Sequence, residues 1–117
     1  MRKKNEVLDL SFEFSLAIIG FWEKLEAAKR FVMANQLLKA GTSIGANIRE
    51  AQNSESKADF IHKMKIAAKE ADEAEYWLEL CRQSANYQDP GELSTKIVSI
   101  KKLLNAIIAT TKKGLMS

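Results

Sequence analysis

Apolar residues recur at steps of three and four along nearly the whole chain. Over about residues 5–27 they fall at Val7, Leu10, Phe14, Ala17, Ile18, Phe21, Trp22 and Leu25, which puts them on one face of a helix. A second pattern, over about 28–52, carries Ala34, Leu37, Leu38, Gly41, Ile44, Ile48 and Ala51. Asn53-Ser54-Glu55-Ser56 then interrupts the period with turn and cap residues. Ser56 and Asp59 have the capping-box form, a hydroxyl for orphan N–H groups and a carboxylate reaching back, and so open a third helix over about 56–84. Its inner stripe is Phe60, Met64, Ala67, Ala71, Ala74, Leu78 and Cys81; Ile66, Trp77 and Leu80 form a second stripe. After a loop from Ser84 to Gly91, Asp89-Pro90-Gly91-Glu92 predicts a fourth helix over about 90–113, with an acidic cap and Pro at the first helical position. Leu93, Ile97, Ile100, Leu104, Ile107 and Thr111 make its inner face, and Gly114 after Lys112-Lys113 closes it. No β-type alternation and no internal repeat competes. The pattern predicts an all-α, antiparallel up-down four-helix bundle in a single domain over 1–117.

Composition agrees with that reading. The chain has 117 residues, 46% hydrophobic and 28% charged, with one Pro and five Gly, a mix that favours helix almost everywhere. A single cysteine excludes an internal disulfide. MRKKNEVLDL has no uninterrupted apolar run, because Asp9 and Glu13 intrude, so no signal peptide is expected. No stretch approaches the roughly 18 apolar residues of a membrane span. A cytoplasmic protein without a membrane partner is the expectation.

Candidate chemistry is sparse. Asp59 and His62 give one acid-x-x-His pair, whereas a di-iron bundle needs two such motifs and two further glutamates; no metal site is expected. Cys81 continues an inner stripe and reads as a buried thiol rather than a nucleophile. No Gly-rich phosphate loop or serine elbow occurs. We therefore expect no enzyme, no cofactor and no small-molecule substrate. Ser43, Asn47 and Glu50 lie at steps of four and three and read as a structural polar row at a helix–helix or subunit seam, where Gly41 and Gly45 allow close approach. The net charge is only +3, but it is uneven. Arg2, Lys3 and Lys4 form a basic arm. The third helix is basic early (Lys57, Lys63, Lys65, Lys69) and acidic late (Glu70, Asp72, Glu73, Glu75, Glu79), and the fourth carries Lys96, Lys101, Lys102, Lys112 and Lys113.

Taken together, QLLKAGTSIGANIREA, SKADF and IAAKEADEAEYWLEL resemble the bacterial four helix bundle protein family, also called the 23S ribosomal RNA intervening-sequence protein family. Gln36, Leu37, Ser43, Ile44, Asn47, Ile48, Glu50, Ser56, Asp59 and Phe60 match its pattern, while Leu38, Gly45 and Ala51 depart from a commonly basic residue, a Pro and a Gly. The resemblance spans roughly Phe12 to Leu104. It implies a ring-shaped homo-oligomer, a pentamer, with a basic surface. It also implies kinship of fold with the accessory protein of diversity-generating retroelements, which binds RNA and a reverse transcriptase. The function expected is a non-enzymatic, RNA- or nucleoprotein-associated module whose phosphate contacts come from Arg2, Lys3, Lys4, Lys39, Arg49, Lys57, Lys63, Lys101 and Lys102. The competing expectation is a protein-interaction scaffold that uses the spare apolar face around Trp77 and Leu80.

Overall fold

A computed structural model describes residues 5–116 of the chain. Asn5 starts the first helix, α1 (Glu6–Ala27), by accepting the Leu8 N–H on its Oδ1 at 3.1 Å. The helix does not run on into the next. Lys29 takes the left-handed conformation (φ 62), its N–H reaches Glu26 O and the Arg30 N–H reaches Leu25 O. This is a Schellman ending with lysine where glycine is usual. The second helix, α2 (Phe31–Ala51), accordingly starts three residues later than its apolar pattern predicts.

Ser56 caps the third helix, α3 (Lys57–Gln83), with its Oγ 3.0 Å from the Asp59 N–H. Asp59 reaches back as expected, but to the Glu55 N–H, one residue before the cap. The fourth helix, α4 (Leu93–Met116), begins after Pro90 rather than on it. Asp89 Oδ1 accepts the Gly91 N–H and Gly91 sits at φ +56, a left-handed turn that no helix start can include. Gly114, expected to stop α4, lies inside it.

α1 packs on α2 and α4, and α3 packs on the same two; among the described residues the backbones of the diagonal pairs stay further apart. The contact between α2 and α3 is the most extensive, and that between α1 and α4 the thinnest. Two links tie the ends. Arg30 donates to Asn86 O at 2.9 Å and lays its guanidinium over Tyr87, joining the α1–α2 turn to the α3–α4 loop. At the other end Asn5 Nδ2 donates to Gln52 Oε1 at 2.9 Å. Neighbouring helices are therefore antiparallel.

Phe14, Ile18, Leu25, Leu37, Ile44, Ile48, Met64, Leu78, Ile97, Ile100 and Leu104 are fully buried at the centre. α3 adds Ala67, Ala71 and Ala74, small residues that let its neighbours approach closely. Several positions differ from the predicted stripes: Ile61 is buried and Phe60 only half-buried, Ile108 takes the place of Ile107, Ala40 is buried where Leu38 is expected, and Leu10, Ala17 and Trp22 are only half-buried. Steps of three and four satisfy the helical period equally, and packing chooses between them. Ser11, absent from the predicted core, is fully buried and donates to Leu8 O at 3.0 Å. It lies where the glycines of α2 meet α1. A Cβ on Gly41 would stand 2.7 Å from Ile18 Cγ1, and one on Gly45 would stand 3.3 Å from Ser11 O.

Candidate nucleic-acid interface

The charge order of α3 meets the lysines of α4 in two different ways. Because α4 runs antiparallel, its middle faces the acidic half of α3 and its C-terminal part faces the basic half. Lys101 Nζ lies 2.8 Å from Asp72 Oδ1 and 2.7 Å from Glu75 Oε1. Hydrogen bonds to Asp72 and Glu75 raise its pKa above the ordinary lysine value. About three turns further along α4, Lys112 meets Lys65 instead, and that neighbouring ammonium lowers the Lys112 pKa. Lys57 reaches the same end of α4: its Nζ is 3.5 Å from the position a Cβ on Gly114 would occupy. Among the described residues no carboxylate forms an ion pair with Lys57, Lys65 or Lys112.

The basic positions expected from sequence that lie among the described residues stand on three different helices. Arg2, Lys3 and Lys4 lie outside the described residues; Asn5, which follows them, is at the Lys57 end of the bundle. Lys39 and Arg49 are exposed on α2 and Lys102 is exposed on α4, which α2 does not touch. Lys63 is half-buried on α3. Lys101 is occupied by its two carboxylates. Among the described ones, Lys57 reaches the end of α4 that carries Lys112. Lys65 and Lys112 were recognisable as charges but not as partners, since only the antiparallel register brings them together.

Ser43, Asn47 and Glu50 make no contact across a helix seam that the hydrogen bonds record. Ser43 Oγ donates to Lys39 O at 2.6 Å and Asn47 Nδ2 donates to Ser43 O at 2.8 Å, both within α2, and Glu50 is exposed. Gly41 and Gly45 turn toward α1, a different side of α2 from Ser43 and Glu50. Cys81 is buried, and desolvation pushes its thiol up to about 11. His62 is exposed, and no group of three or more metal-ligating side chains gathers among the described residues.

Two grooves flank the bundle on opposite sides. Between α1 and α2 a space of 680 Å³ is lined by Phe12, Ser15, Gly45, Ala46 and Arg49 among others. Phe12 (58% exposed), Leu16 (55%) and Ile19 (39%) extend it as an apolar stripe. The steps of four and three that carry this stripe are visible in the sequence, as an outer row beside the core row of α1. Between α3 and α4 a space of 540 Å³ lies under Tyr76 and Val98.

The model of the family described as 23S rRNA-intervening sequence protein matches residues 3–106. The chain belongs to that family. A crystal structure of a protein of unknown function from the S23 ribosomal protein family of Bacteroides thetaiotaomicron is similar to it, with 45% sequence identity and a TM-score of 0.82. The likeness covers 87% of this chain and 97% of that one. No curated protein matches the chain. The described residues form four helices and no strand, and none of these helices is long and apolar enough to cross a membrane.

Proposed function

We propose that this protein is a non-enzymatic, cytoplasmic module that associates with RNA or a nucleoprotein through phosphate contacts at the Lys57–Lys65–Lys112 end of the bundle. One observation carries the reading: Lys65 and Lys112 meet as like charges with no carboxylate among the described residues paired to them, while Lys101 on the same helix is neutralised. Two adjacent ammonium groups disfavour each other, and a bridging phosphate turns that repulsion into two attractions. Such contacts hold a backbone without reading sequence. Exposed lysines at the rim, such as Lys113, widen the field. The test is a salt titration of binding to a structured RNA. Affinity falling linearly in log salt, by about 0.7–0.9 log units per phosphate neutralised, supports the reading. No binding at low salt contradicts it.

The same module is proposed to work as a ring-shaped homo-oligomer, a pentamer by the resemblance. The Phe12–Leu16–Ile19 stripe supports self-association, since a small protein rarely leaves a contiguous apolar row in water. A contact that pairs this stripe with a different surface of the next copy closes into a ring when the rotation allows. Light scattering of Phe12→Asp/Leu16→Asp tests it: a fall to monomer mass supports the stripe as the interface, and an unchanged oligomer removes it.

A further inference from the structure

We propose that the groove between α3 and α4 is a docking site for a short cationic amphipathic helix of a partner protein. The floor is apolar, with Leu78 and Ile97 buried beneath Tyr76 (59% exposed) and Val98 (39%). A helix laid between two others presents residues at i, i+3 or i+4, and i+7 to such a floor. The rim decides the sign of the occupant. Asp72, Glu75 and Glu79 line the groove and no lysine or arginine does. Lys101 answers Asp72 and Glu75, and Arg82 answers Glu79, so the rim keeps an excess of carboxylate.

The seam also limits the length of the occupant. From Asp72 to Glu79 α3 rises about 10 Å, room for roughly two turns of helix. Beyond Lys101 the seam becomes cationic at Lys65 and Lys112, and a longer cationic helix would be repelled there. The register of the occupant is thus bounded on one side by charge. The α1–α2 groove offers no such selection, because Arg49 stands among its acidic residues.

The test uses the full chain and two labelled synthetic peptides of about eight residues, each held helical by a side-chain lactam, a leucine–lysine amphipathic helix and its leucine–glutamate counterpart, with binding followed by anisotropy. The leucine–lysine peptide is expected to bind saturably, one per chain, and at least about tenfold tighter than the glutamate peptide. Tyr76→Lys/Val98→Lys should lose at least about tenfold, while Val32→Ser, at an exposed position of α2 outside both grooves, should not change the affinity. If circular dichroism shows the double variant unfolded, Val98→Lys alone, at an exposed position, serves in its place. Equal binding of the two peptides, or full affinity in the groove variant, overturns the proposal. So does a drop in the oligomer mass of the groove variant alone, which would make a second copy of the chain the occupant. None of these readouts depends on RNA binding.

Discussion

Lys101 and Lys112 stand on one stripe of α4 and face the same neighbour, yet one is held between Asp72 and Glu75 and the other is pressed against Lys65. The difference comes from the order of charges along α3, read backwards by an antiparallel partner. A count of lysines on a helix therefore says little about which are available to a ligand. Stability does not demand this order. Exposed ion pairs contribute about 0–1 kcal/mol, whereas truncating a buried residue such as Ile44 or Leu104 to Ala costs about 2–5 kcal/mol. The core holds the bundle, and the charges on α3 add little to its stability.

The contrast can be broken most strongly by reversing the basic end. Lys57→Glu/Lys65→Glu/Lys112→Glu should lower RNA affinity by more than an order of magnitude and flatten the log–log salt dependence by about one per lysine. Lys101→Gln should leave that slope unchanged. Equal slopes for the two variants would erase the distinction. A second variant moves the boundary instead. Asp72→Lys removes one partner of Lys101 and adds a cation, so the slope should steepen by about one while denaturant midpoints show a loss of up to about 1 kcal/mol.

The smallest effect is one of pH, with opposite signs at the two sites. The pKa of Lys101 is raised above 10.5, so its ion pair stabilises the fold below 10.5 and is lost only as pH rises through the higher folded value. The pKa of Lys112 is lowered, so the repulsion acts at neutral pH and is relieved as pH rises through the depressed folded value toward 10.5. Denaturation midpoints should therefore show Lys112→Gln slightly more stable than wild type at neutral pH, with the gain gone by 10.5. Lys101→Gln should be less stable, with the loss persisting to that pH. Parallel pH curves for the two variants would contradict the assignment.

The four helices and most of the core were legible because a 3.6-residue apolar period has few other solutions over twenty residues. The α1–α2 link was not, because Lys29 adopts the conformation that glycine usually marks, and no Gly or Pro punctuates the sequence there. Asp89-Pro90-Gly91-Glu92 misled in the opposite direction. Proline suits a first helical turn, but the Asp89–Gly91 hydrogen bond commits the segment to a turn of its own. At the candidate site each charge was visible and the pairing was not. Whether a lysine meets Asp72 or Lys65 depends on helix rotation and register, which periodicity alone leaves open. The outer stripe of α1 shows the same limit: two apolar rows existed, and the longer one, Val7–Phe14–Ile18–Phe21–Leu25, took the core.

The most direct test is an NMR titration of the lysine side-chain Nζ signals of the wild-type protein with a structured RNA. Lys65 and Lys112 should shift and saturate together, with the Lys112 pKa rising toward or past its ordinary value, while Lys101 stays fixed. Shifts of equal size at Lys101 and Lys112, or none at Lys112 while RNA is bound, would contradict the account.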